Sequence, residues 1–105
     1  MELNRKSRII LGIDPGTTVM GFGIIETSGN FMQLRDVGVL NLSKSGDHAT
    51  KLSLIFAELI RLIDKHLPDE LAIEAPFFGK NVQSMLKLGR AQGVAIAAAL
   101  SRQVP

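Results

Sequence analysis

The chain has no cysteine, so it can build neither a disulfide nor a thiolate metal site, and a reducing compartment is expected. Long hydrophobic runs are also missing. The apolar stretch behind the basic segment Met1–Arg8 is only Ile9–Ile13, too short for a signal-peptide core and far too short to cross a bilayer. No internal repeat or low-complexity segment is visible. A cytoplasmic protein with no membrane contact is the expectation. A third absence is local: no acid occurs after Glu74. Residues 1–74 carry eight Lys and Arg with all ten Asp and Glu, a net charge of −2, whereas residues 75–105 carry Lys80, Lys87, Arg90 and Arg102, a net charge of +4. An acid-free basic stretch suits an anionic polymer that must approach carboxylates held elsewhere. A truncated chain whose balancing acids lie further on explains the same asymmetry.

What is present is enough for one domain. With 105 residues, 46% of them apolar, the chain can bury a modest core. Ile9–Ile13 followed by Asp14-Pro15-Gly16 reads as a buried strand and a sharp turn. Met20–Glu26 reads as a second strand, Ser28-Gly29-Asn30 as a turn, and Phe31–Leu42 as a third strand. The alternation of the third strand slips phase between Leu34 and Val37, which predicts a bulge. Short connections make these three strands an antiparallel meander. Asp47 caps a helix whose apolar face is Leu52, Ile55, Phe56, Leu59, Ile60 and Ile63, and Pro68 stops it. A fourth strand, Glu70–Glu74, follows this helical crossover and should run parallel to a neighbour. A second helix is predicted from an Asn81 cap to about Ser101, and Arg102–Pro105 is read as the possible start of a buried fifth strand. The fold class is therefore α/β, with helices on a mixed sheet of order 3-2-1-4 whose fifth strand is missing or incomplete, all within one domain over residues 1–105.

That order makes two carboxylates neighbours. Asp14 and Glu74 each end an apolar strand, and strands one and four lie side by side and parallel, one strand spacing or roughly 5 Å apart. Acids this close repel and at neutral pH call for a shared proton or a divalent cation. Hard oxygen donors without His or Cys favour Mg²⁺ or Mn²⁺ over zinc. Such a site can orient a phosphodiester and activate water. The plainer alternative has Asp14 capping a turn and Glu74 paired with a lysine, and spacing alone does not separate the two.

With both motifs in view the chain resembles the RuvC family of Holliday-junction resolvases, which have a ribonuclease H-like fold. The resemblance rests on Ile10-Leu11-Gly12-Ile13-Asp14-Pro15-Gly16, on Gly21-Phe22-Gly23-Ile24-Ile25, on Ala72-Ile73-Glu74, and on Phe77-Phe78-Gly79-Lys80-Asn81 continuing through Ser84 to Leu86-Lys87-Leu88-Gly89-Arg90-Ala91-Gln92-Gly93. It implies a structure-specific endonuclease that resolves four-way junction DNA by Mg²⁺-dependent phosphodiester hydrolysis in recombination and repair. Asp14 and Glu74 would be two of four acidic metal ligands, and Phe77 the aromatic that stacks on bases at the junction centre. The resemblance further implies a homodimer, with the second helix in the dimer contact, and cooperation with a branch-migration motor. The other two acids belong to a C-terminal helix in the family. Their absence predicts that this chain is a fragment with little or no cleavage activity.

The residues themselves add detail. Lys80, Ser84, Lys87 and Arg90 share one side of the second helix and can contact phosphates, while Lys80, Asn81 and the first helical amides could hold one at the helix start. A solvated helix face is the ordinary reading of such a stripe. Loop phenylalanines such as Phe77 and Phe78 ordinarily anchor a loop to the core, whereas an exposed one is a stacking wedge for bases. Gly89, Gly93 and Ala97 form a strip of small residues that ordinarily packs on its own sheet. His48 and His66 flank the first helix and are expected at the surface. Two other readings compete. Gly12–Thr18 resembles the first phosphate loop of the actin and sugar-kinase superfamily, but no second Gly-rich phosphate loop follows. The YqgF-type RNA-processing nucleases share the Gly12–Gly16 opening and differ where Leu86–Gly93 stands here.

Overall fold

The computed structural model describes residues 7–44, 46–73 and 82–105. Its elements are β1 (Arg8–Asp14), β2 (Val19–Ser28), β3 (Phe31–Asn41), α1 (His48–His66), β4 (Glu70–Ile73) and α2 (Val82–Ser101). The strands form one sheet in the order β3-β2-β1-β4. β1 pairs antiparallel with β2 and parallel with β4, as a helical crossover requires.

Local chemistry explains the joints. Ser28 faces Phe31 across a two-residue hairpin loop, and Gly29 supplies the positive φ of 60° that its first position needs. The predicted bulge lies within β3: Ile24 pairs with Asp36 but Ile25 pairs with Leu34, which leaves Arg35 as the extra residue. Asp47 caps α1 by accepting a hydrogen bond from the Thr50 amide at 2.9 Å. This bond holds its carboxyl below the usual range. At the other end Leu67 turns left-handed with φ 50°, and Pro68 forbids continuation. α2 closes with a Schellman arrangement: Gln103, at φ 62°, donates to Leu100 O at 3.0 Å, and Val104 donates to Ala99 O at 2.9 Å. The Asn81 cap lies outside the described residues.

Both helices cover the same side of the sheet. Leu11 and Ile13 from β1, Met20 and Ile24 from β2, Ile55, Leu59, Leu62 and Ile63 from α1, and Ala91, Ala95, Ala98 and Ala99 from α2 make one core. The alanines let α2 approach α1 closely, and an Arg102–Asp64 ion pair at 2.9 Å ties their C-terminal ends together. The other side of the sheet has no helix among the described residues. Val19, Met32, Leu34, Val37 and Val39, whose registers put them all on that side, are 45–68% exposed.

Four outcomes differ from or extend what the sequence implies. His66 is not a plain surface residue. α1 lies against the sheet, so its last turn reaches the bulged part of β3, and His66 Nε2 stands 3.2 Å from Asp36 Oδ2. Both ring nitrogens of His48 are buried without a hydrogen-bond partner. The small-residue strip of α2 does not pack on the sheet: a Cβ added at Gly89 or Gly93 would meet nothing within 4 Å. Among the described residues the sheet has four strands, and in place of the expected fifth strand the Leu71 amide donates to the Pro105 carbonyl at 3.0 Å.

Candidate functional site

Asp14 is the last residue of β1, exposed on the side of the sheet that the helices leave bare. Pairing with β2 on one flank, at the end of a strand paired on both, holds it there. Gly21 is its antiparallel partner on β2, and the parallel ladder to β4 runs from Ile10↔Glu70 to Ile13↔Ile73, one residue short of Asp14. Glu74, the next residue in the sequence after Ile73, lies outside the described residues, as do Phe77, Lys80 and Asn81. Asp14 makes no ion pair with any described residue, so its carboxylate oxygens are open to a hard cation. Among the described residues no group of three or more His, Cys, Asp or Glu side chains converges, which leaves Asp14 as the one described contributor to a metal site here.

The turn behind Asp14 is sterically exacting. A Cβ on Gly16 would stand 2.1 Å from the carbonyl oxygen of Val19, closer than atoms can come. The turn is also tied to the far end of β3, where the Leu42 amide donates to Thr18 O at 2.7 Å. Beside Asp14 the bare face is open and concave. Gly12, Gly21 and Gly23 put no side chain on it, and with Asp14, Val37 and Val39 they line a depression of about 350 Å³. A side chain at position 21 would come within 3.7 Å of the Asp14 Cβ. These glycines were not singled out as site residues from sequence, and their signal was the strand register, which sequence spacing does not fix.

On α2, Ser84, Lys87 and Arg90 are exposed, and neither Lys87 nor Arg90 forms an ion pair with a described residue. Their positive charge therefore remains available to a phosphate. Gly89, Gly93 and Ala97 are exposed too, and the structure extends the strip at both ends. Val82, Leu86, Ile96 and Leu100 are 37–70% exposed and alternate with the glycines at spacings of four and three residues. Such spacing is the pattern of a helix–helix seam, and this face lies opposite the alanine face used against α1. The heptad spacing was readable in the sequence, but which of the two apolar faces lay inside was not.

No described helix is long and apolar enough to cross a membrane. The family model described as "Crossover junction endodeoxyribonuclease RuvC" matches residues 10–105. A protein of that name from Christiangramia forsetii is 65% identical over 101 residues, covering 96% of this chain and 53% of the relative. Another from Cytophaga hutchinsonii is 66% identical over 98 residues, covering 93% of this chain and 49% of the relative. The chain thus spans about half the length of the curated relatives it matches. Among solved structures, Thermus thermophilus RuvC in complex with a Holliday junction substrate superposes with a TM-score of 0.83 at 26% identity, over 93% of this chain and 61% of that one. A ribonuclease H-like mixed sheet, an open acidic strand end and a match over nearly the whole chain together establish that the chain belongs to the RuvC family of crossover junction endodeoxyribonucleases.

Proposed function

We propose that this chain is the front half of a nuclease that cuts four-way junction DNA by metal-dependent phosphodiester hydrolysis, and that alone it binds rather than cuts. The observation that carries the reading is the parallel β1–β4 ladder, which ends at Ile13↔Ile73 with an acid next in sequence on each strand. Asp14 and Glu74 would hold Mg²⁺, or Mn²⁺ in its place. Carboxylate oxygens without nitrogen or sulfur donors suit those ions. When bound, such an ion polarises the phosphodiester and makes water a better nucleophile. The chain's own residues then have distinct tasks. Asp14 is fixed by β-pairing and needs no reordering. Lys87 and Arg90, with Lys80, Asn81 and Ser84, would position phosphates along the start of α2. Phe77 would stack on unpaired bases.

The exposed seam of α2 supports a homodimer in which Gly89, Gly93 and Ala97 allow two helices to approach closely. That geometry fits a substrate with two equivalent strands to cut. A cytoplasmic location and a branch-migration motor as partner complete the reading, the latter on family resemblance alone. The family match and the named relatives favour it over the actin and sugar-kinase reading and over the YqgF-type reading.

Gel-shift titration in Ca²⁺ tests the proposal. The chain should bind a four-way junction more tightly than duplex of equal length. Lys87→Gln and Arg90→Gln should each lower the salt dependence by about one counterion. Equal affinity for duplex, or stabilisation of the chain by ATP, would replace this reading. Nicking of a junction by the chain alone in Mg²⁺ would refute the division between binding and cutting.

A further inference from the structure

β3 is the outermost strand on its side of the sheet, and β2 is its one strand partner among the described residues. The phase of that ladder is set at both ends. The Leu42 amide donates to Thr18 O at 2.7 Å just beyond the Val19↔Asn41 pair, so Leu40, Gly38 and Asp36 turn their amides toward β2 while Val39 and Val37 turn theirs outward. The Val37 amide accordingly donates to the Asp36 carboxylate, at 2.9 Å. At the other end the two-residue loop makes Ser28↔Phe31 a hydrogen-bonded pair, which turns Met32 and Leu34 outward. Met32, Leu34, Val37 and Val39 thus present the backbone of a free edge, and their apolar side chains are 59–68% exposed. Sheet edges are ordinarily blunted by short length, proline, lysine or a bulge. β3 is eleven residues long, with neither Pro nor Lys, and the bulge at Arg35 is its one such device.

We infer that β3 pairs antiparallel with β3 of a second copy, about a two-fold axis that passes through the sheet between Arg35 and Asp36. The bulge selects this occupant. It separates the outward-bonding residues Leu34 and Val37 by three positions where a regular strand has two, so a regular strand loses register there. A second copy carries the same irregularity, and this register sets bulge against bulge. It places Leu34 opposite Val37, Met32 opposite Val39 and Arg35 opposite Asp36, each pair occurring twice about the axis. The outward backbone groups of all four apolar residues find partners, apolar side chains face apolar ones, and opposite charges meet at the centre. Arg35 and Asp36 already contact Glu26 and His66 within the chain, so the matched bulges and apolar pairs carry the contact more than the charges do. The pairing uses the sheet's edge, is distinct from the α2 seam, and does not rest on the nuclease reading.

Disulfide cross-linking tests it, since the chain has no cysteine of its own. Leu34→Cys and Val37→Cys proteins are mixed in equal amounts in a glutathione redox buffer, and the linked dimers are identified by mass spectrometry. Opposed positions stand about 5.5 Å apart between Cα atoms, within disulfide reach, whereas two copies of position 34 stand roughly 10 Å apart. The mixed 34–37 dimer should therefore exceed either homodimer about ten-fold, against about two-fold for random collision. Met32→Cys mixed with Val39→Cys should behave likewise. Val39→Pro, added to the Leu34→Cys and Val37→Cys proteins, costs the monomer no ladder bond because that amide points outward, so the circular dichroism spectrum should be unchanged while the mixed dimer falls about ten-fold. A collisional mixture of products, or a mixed dimer unaffected by Val39→Pro, would overturn the inference. So would a dimer that sediments as such without the 34–37 link, which would assign self-association to the α2 seam.

Discussion

Gly16→Ala and Gly89→Ala add the same methyl group, and the structure assigns them opposite effects. At position 16 the new Cβ would stand 2.1 Å from Val19 O and 3.3 Å from Val19 C. Relief requires a movement of about 1 Å. Val19 cannot supply it cheaply, because it opens β2 and pairs with Asn41 on β3. The φ of Gly16 is not in the positive range, so the penalty is contact alone and not backbone conformation. Overpacking of this kind costs about 1–3 kcal/mol. For a chain of this size each kcal/mol lowers Tm by about 4–8 °C, so a fall on the order of 5–20 °C is expected. At position 89 the added Cβ meets nothing within 4 Å. Replacing a mid-helix glycine by alanine there should stabilise the monomer by up to about 1 kcal/mol. If two α2 seams pack in a dimer, the same methyl group should weaken that association. Urea denaturation monitored by circular dichroism reads the first effect, and sedimentation equilibrium of the Gly89→Ala protein reads the second. A Gly16→Ala protein as stable as the parent would refute the steric account of the turn. Stabilisation of both the monomer and the dimer by Gly89→Ala would refute close approach at the seam.

Other expectations follow from single residues. Gln103 sits at φ 62° with its backbone bonds intact, so Gln103→Gly should raise the urea midpoint by an amount equivalent to about 0.5–1 kcal/mol. Leu59 has no exposed surface, and Leu59→Ala should cost about 2–5 kcal/mol in the same assay, with unchanged stability counting against a packed α1–sheet core. The Asp47 carboxyl is held below its ordinary range by the Thr50 amide, so its contribution is present above the unfolded value and is lost as pH falls through the lower folded one. Thermal melts from pH 7 to below about 4 should therefore show a smaller acid loss for Asp47→Asn, which keeps a capping oxygen but does not titrate. An identical pH profile for the two proteins would remove Asp47 from the account of acid stability.

Much of the architecture was legible because it depends on short-range chemistry. The order 3-2-1-4 follows from two short connections and one helical crossover, and chain connectivity leaves few other ways to close such a sheet. The bulge near Arg35 was visible as a slip in alternation, since a pleated strand has a strict period of two. Asp47 as a cap and Pro68 as a stop rest on hydrogen bonding within a few residues. Asp14 could be chosen as a site residue because a strand end followed by Pro-Gly holds an acid at a sheet rim whatever the rest of the chain does.

Tertiary packing decided the rest. α2 has two apolar faces, and only contact with α1 shows that Ala91, Ala95 and Ala98 lie inside while Gly89, Gly93 and Leu100 face out. His66 meets Asp36 across thirty residues of sequence because α1 lies back over the sheet, a meeting no local pattern encodes. The glycine floor beside Asp14 exists only once the register aligns Gly12 with Gly23 and Asp14 with Gly21. Sequence thus determined the elements, their order and the acid at the end of β1, because each follows from local geometry. Which surfaces are buried, and which remain open to metal, DNA or further protein, depends on distant residues competing for the same limited contact area, and only the assembled fold resolves that competition.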